Sequence, residues 1–192
     1  MAEPKRTRRG YFSTSDLATI AIFAAIQFVL QFFAGRIAFL PGAERPLVAL
    51  PVAFLAALTY LRTRKVGAVG MTILIAGIIQ VILSGFPPVI FEFVGGALGA
   101  EMVIAAAHTT KGRCGTFALC LATSALMLGR GIGVTSGLLI FLPAVVFKNF
   151  ASQALVATYV FFNGLVPFMV APLGAWAAIK LSSKMKLAPG SV

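Results

Sequence analysis

Three ionisable residues, Glu92, Glu101 and Arg130, stand inside long apolar stretches of the chain. A charge in such surroundings is costly, so each must meet a counter-charge, a ligand or backbone polar groups. Glu92 and Glu101 are nine residues apart on one predicted helix, which turns them to opposite faces, about 180° around its axis. Arg130 belongs to a different stretch and lies at the depth of Glu92, its expected partner. Two readings of that pair compete. A buried ion pair would fix helix register, whereas a binding site would offer Glu92 to a cationic group and Arg130 to an anionic or carbonyl-bearing one.

Neutral polar residues fall at a similar depth: Gln27 and Gln31, Gln80 and Asn163, with Asn149 and Gln153 in a nearby loop. Phe86, Phe91, Phe93, Phe147, Phe150 and Tyr159 add aromatic walls. Aromatic surfaces with a few placed hydrogen-bonding groups are how small-molecule sites are built. The candidate substrate-binding set is Glu92, Arg130, Asn163, Gln31, Gln80, Asn149, Phe91 and Tyr159. An aromatic belt at the membrane interface competes for about half of the rings. No catalytic residue, metal site or cofactor is expected. The sequence lacks a phosphate-binding Gly-Lys-Ser/Thr loop, a His-Glu-x-x-His pair and a nucleophile with a convincing base. Cys114 and Cys120 have no Cys or His cluster around them, so neither a disulfide nor a metal is expected.

The elements that must carry these residues are helices in a bilayer. Of 192 residues, 59% are hydrophobic and only 11% charged, and the mean hydropathy is +0.98. Soluble domains are about a quarter charged. The apolar residues come in blocks long enough to cross about 30 Å of hydrocarbon. The expected fold is an all-α membrane protein, a bundle of six transmembrane helices at Ser15–Ala38, Pro46–Leu61, Val66–Ser84, Pro88–Ala107, Thr116–Leu142 and Ala157–Leu181. Residues 1–14 read as a basic cytoplasmic tail, 15–182 as the transmembrane domain and 183–192 as a short cytoplasmic tail. Helix 2 is expected to be short, reaching part-way through one leaflet or lying with little tilt. Arg8 and Arg9 ahead of an apolar run resemble an export signal, but the run is too long, and an uncleaved first helix is expected.

Lysine and arginine set the orientation. Lys5, Arg6, Arg8, Arg9, Arg62, Arg64, Lys65, Lys111, Arg113, Lys180, Lys184 and Lys186 fall on one side, against Arg36, Arg45 and Lys148 on the other. Both termini are therefore expected in the cytoplasm (N-in, C-in). The same distribution accounts for the formal net charge of +11 without nucleic acid, and the lipid bilayer is the expected surrounding. Small residues recur at helix-packing spacing: Ala18, Ala21 and Ala25; Gly95 and Gly99; Gly129, Gly133 and Gly137. For the fourth and fifth helices, internal packing is the favoured role.

With six short-looped helices, the alanine stripe and a glycine-rich fourth helix, the chain resembles the substrate-binding S component of an energy-coupling factor (ECF) transporter. Val66-Gly-Ala-Val-Gly-Met, Ser84-Gly-Phe-Pro-Pro and Phe93-Val-Gly-Gly-Ala-Leu-Gly-Ala-Glu101 are similar to the Trep_Strep branch, with Phe86 where that branch has His. The resemblance implies capture of a vitamin or related micronutrient at the outer face of a prokaryotic plasma membrane. It also implies docking of Ala18, Ala21 and Ala25 on a T component driven by two ABC ATPases. Thiamine or its pyrimidine precursor is the substrate suggested. Three rival readings are a stand-alone oligomeric secondary transporter or channel, an intramembrane enzyme using Glu101 and His108, and a scaffold in which Arg130 and Glu92 merely pair.

Overall fold

A computed structural model of the chain describes residues 11–37, 44–141 and 161–184. The helices are α1 (Thr14–Ile37), α2 (Glu44–Thr63), α3 (Ala68–Ser84), α4 (Val89–Lys111), α5 (Thr116–Phe141) and α6 (Val166–Lys184), the last entered through a π-helical turn at Phe161–Leu165. No strand occurs among the described residues. Five of these helices are long and apolar enough to cross a membrane, and α3 is a shorter apolar helix. The all-α, multi-pass architecture is as expected.

The helix ends follow from local chemistry. Ser13 Oγ accepts from the Asp16 amide at 3.2 Å, while Asp16 Oδ2 accepts from the Ser13 amide at 2.9 Å. This reciprocal cap satisfies donors that α1 leaves open. Lys65 Nζ donates to Asp16 Oδ2 at 2.7 Å and to the Tyr11 carbonyl at 2.6 Å. The start of α1 and the α2–α3 turn therefore share one end of the bundle. Gly112 closes α4 with a left-handed φ of 68°, its amide bonded to the His108 carbonyl at 3.0 Å. That cap lets α4 run on to Lys111, past the expected Ala107.

Helix α2 departs from expectation. It has 20 residues, and the shortest α-helix among the described residues is α3, with 17. Pro46 lies inside its first turn, where a missing N–H also costs nothing. In the bundle α2 is central, touching α1, α3, α5 and α6, while contacts run from α1 to α3, α4, α5 and α6 around it. Its inward residues Ala49, Val52, Ala53, Ala56 and Ala57 are fully buried or nearly so. Small side chains are what permit close helix approach when lipid supplies no hydrophobic drive.

Helices α4 and α5 make the most extensive contact. A Cβ added to Gly129 would lie 2.1 Å from the Gly95 carbonyl oxygen, and one added to Gly95 would lie 2.2 Å from that of Gly129. The glycine stripes are thus internal packing, as expected. At the Lys65 end, buried Tyr60 ties three segments together. Its Oη lies 2.7 Å from His108 Nε2 and accepts from the Cys114 amide at 3.1 Å. His108, expected to cap or meet lipid headgroups, is therefore held by Tyr60. Burial pushes the neighbouring Cys114 thiol up to about 11.

Two outcomes follow. Gly129→Val should destabilise the detergent-purified protein by about 1–3 kcal/mol through overpacking, read as a lower melting temperature. Gly115→Ala should leave melting unchanged, because nothing lies within 4 Å of its added Cβ. Second, Cys114 should react slowly with maleimide in the folded protein at pH 8, where about one thiol in a thousand is ionised. Denaturant should accelerate the reaction.

Candidate functional site

Glu92 sits one turn into α4 and is 2% exposed; Arg130, mid-way along α5, is 5% exposed. They meet directly. Arg130 Nε donates to Glu92 Oε1 at 2.8 Å, and Arg130 Nη2 bonds the same oxygen. Arg45, in the first turn of α2, donates Nη1 to that oxygen as well. One carboxylate therefore serves two guanidinium groups. Gly96 makes this geometry possible, since a Cβ there would stand 2.5 Å from Arg130 Cγ. Beneath the pair, Arg130 Cζ lies 5.0 Å from the centroid of the Phe93 ring, a cation–π contact.

Gln31, brought in by α1, accepts from Arg130 Nη2 through Oε1 at 3.3 Å. A cavity of about 130 Å³ opens between these groups, lined by Gln31, Arg45, Val48, Gln80, Val89, Glu92, Phe93 and Arg130. Side chains from α1, α2, α3, α4 and α5 thus converge on one space. Several polar atoms around it are buried without a hydrogen-bond partner: Arg130 Nη1, Gln31 Nε2 and Gln80 Oε1. Buried polar groups are nearly always satisfied in native structures. Unmet donors and acceptors on a cavity wall are left for water or a bound molecule to satisfy.

Of the expected site residues, Glu92, Arg130, Gln31 and Gln80 come together here. Asn163 is buried in the π-helical turn, and with Arg45 and Arg130 it lines a separate small void. Phe91 packs edge-on against Phe141, with centroids 5.8 Å apart, at the far end of the α4–α5 contact. Phe93 is the ring that lines the cavity. Asn149 and Tyr159 lie outside the described residues. Arg45 entered the sequence reading only as a topology charge. The signal that could have found it was a second arginine at the depth of a solitary acid. Gln27, one turn from Gln31 on α1, is fully buried with neither amide atom partnered.

Glu101 has a different task. Its Oε2 and Oε1 accept from the Gly67 and Gly70 amides, each at 2.7 Å, at the start of α3. The N-cap residue Gly67 offers no side-chain cap, so a carboxylate from α4 takes that role. A helix N-terminus stabilises negative charge through its open N–H groups and dipole. With Glu101 bound to α3 and His108 to Tyr60, the proposed acid–base pair is engaged elsewhere. Among the described residues no cluster of three or more His, Cys, Asp or Glu is placed to hold a metal ion.

Removing Glu92 alone leaves two guanidinium groups around an empty counter-ion position. Glu92→Gln should therefore cost about 3–5 kcal/mol of stability. The double variant Glu92→Gln/Arg130→Met should regain a large part of that loss. Thermal denaturation of all four proteins in one detergent measures the coupling, and additive losses would show that the pair does not interact.

No protein-family model matches the sequence, and no curated protein matches it significantly. The fold does match a solved crystal structure of an S-component of an ECF transporter, with a TM-score of 0.62 at 19% identity, covering 92% of this chain and 88% of that one. The chain is a membrane-embedded helical bundle with the fold of an ECF transporter S component.

Proposed function

We propose that the protein is the substrate-capture component of an ECF-type ABC importer in a prokaryotic plasma membrane, taking up a vitamin or related micronutrient. The match of fold over nearly the whole chain carries this reading. The cavity bounded by Glu92, Arg130, Gln31 and Gln80 is the proposed binding site, with Asn163 beside it. Asn149, Tyr159 and Phe91 remain proposed contributors from the sequence, at the outer ends of their helices and in the fifth loop. The orientation proposed has both tails in the cytoplasm, where the basic loops gather.

A T component and two ABC ATPases are the proposed partners. Ala18, Ala21 and Ala25 are all exposed on α1, where a small-residue stripe lets another helix approach closely. The motifs on α3 and α4 support the Trep_Strep branch. Thiamine or its pyrimidine precursor is the substrate the sequence suggests, and a cavity of about 130 Å³ takes one of thiamine's two rings at most. The competing reading, a stand-alone oligomeric transporter, would rest on Glu92, Glu101 and Arg130 as coupling groups; Glu101 already caps α3, and Glu92 and Arg130 are bonded to each other.

Co-expression with a T component and its ATPases tests the proposal. The purified chain should run as a one-to-one complex with that module in native mass spectrometry. Ala21→Leu/Ala25→Leu should abolish the complex while leaving ligand binding intact, and Arg130→Ala should weaken binding without preventing membrane insertion. A homodimer that ignores the module, or normal assembly of the double variant, would overturn the docking claim.

A further inference from the structure

The atoms that face the cavity restrict what it holds. Arginine has no acceptor, so the Gln31 amide must turn Oε1 towards Arg130, leaving Nε2 as the unpartnered donor. Arg130 Nη1 is likewise a donor without a partner, and it belongs to a side chain 95% buried, at 5% exposure. Gln80 also lines the cavity, and no hydrogen bond fixes which way its amide turns, so it can meet either a donor or an acceptor. Among the described residues the carboxylate on the wall is Glu92, whose Oε1 is shared by Arg130 and Arg45. Hence the wall offers cationic and amide N–H groups, with the Gln80 amide able to supply a donor or an acceptor. With two guanidinium groups to one carboxylate, its described side chains carry a net positive charge.

We infer that the cavity binds a single-ring molecule that presents a carboxylate or carbonyl oxygen to Arg130 Nη1 and Gln31 Nε2, with the Gln80 amide meeting a further polar atom of the ring, and that it rejects cationic rings. This rests on the substrate-binding reading above and names the substrate class. The volume of about 130 Å³ is close to the roughly 150 Å³ that takes a benzene ring. Phe93, Val48 and Val89 supply the apolar remainder of the wall. A charged oxygen gains most, because a hydrogen bond from a buried guanidinium is charge-assisted. A pyridinium or thiazolium ring would lose hydration and gain no free acid, which leaves the cationic end of thiamine outside this space.

Three single-ring probes separate these cases: pyridine-3-carboxylate, pyridine-3-carboxamide and the 1-methylpyridinium ion. Each is added at millimolar concentration to the detergent-purified full chain, and the melting temperature is read. The carboxylate should stabilise the protein, the carboxamide less so, and the pyridinium not at all. Stabilisation by the carboxamide above that by the carboxylate would assign the acceptor to a neutral carbonyl within the same class. Gln31→Leu and Gln80→Leu, which leave the Glu92 pair intact, should each weaken carboxylate or carboxamide binding at least about tenfold. Stabilisation by the pyridinium, by none of the three, or equally in both leucine variants would overturn the inference. Assembly with a T component, scored on the same preparation, reports separately on the importer reading. Carboxylate binding without assembly would sink the importer and leave this chemistry standing.

Discussion

A single carboxylate, Glu92, holds the upper half of this bundle to one arrangement. An ionised acid enclosed by apolar helices persists only with geometry good enough to offset its desolvation. Here that geometry draws on four helices at once: the acid from α4, guanidinium groups from α5 and α2, and an amide from α1 that accepts from Arg130. The glycines of α4 and α5 are subordinate to the same demand. Gly96 clears room for the Arg130 stem, and the reciprocal approach of Gly95 and Gly129 sets the helix separation that brings Arg130 within reach. Without the small residues the charges could not meet; without the charges the helices would have little reason to hold one register.

The second acid, half-buried Glu101, follows a different rule at the other end. Glu101 pairs with no cation among the hydrogen bonds it makes; it lies on the open amides of α3. The two acids stand on opposite faces of α4, so one helix reaches α5 with Glu92 and α3 with Glu101. This also gives a physical content to the motif that prompted the family resemblance. Gly67, Gly70 and Glu101 are separate in sequence and are one capping unit in space. A Cβ on Gly70 would lie 2.9 Å from Glu101 Cγ, so the glycine is what admits the acid.

How far the sequence led depends on the range of the interaction. Helix number and most helix limits follow from apolar runs and local caps, and both were legible. The pairing of Glu92 with Arg130 was legible too, because an intramembrane charge has few choices of partner at its own depth. The length of α2 was misjudged, since Pro46 fits a first turn as well as a start. Phe93 and Phe91 flank Glu92 symmetrically on α4, about 100° to either side, and only the neighbouring helices decide which ring faces the cavity. The role of Glu101 was hidden for a related reason. Its partners are backbone amides of another helix, which carry no side-chain signature.

Helix α1 has a double exposure to what happens at the site. Only 17% of its apolar window is buried, the lowest share among the five long helices, so most of its surface faces out of the bundle. Its inward stripe carries Gln31, which touches Arg130, and Gln27, which is buried with both amide atoms unpaired. An unsatisfied buried amide lowers the gain from seating a helix by about 1–3 kcal/mol. Its other face carries the proposed docking stripe at Ala18, Ala21 and Ala25. A ligand that satisfied Gln31 Nε2 would strengthen the hold on α1 at one end of a rigid rod. Any partner that binds the exposed stripe engages that same rod, so under the importer reading occupancy of the cavity and docking are coupled through this one helix rather than through a chain of intermediate contacts.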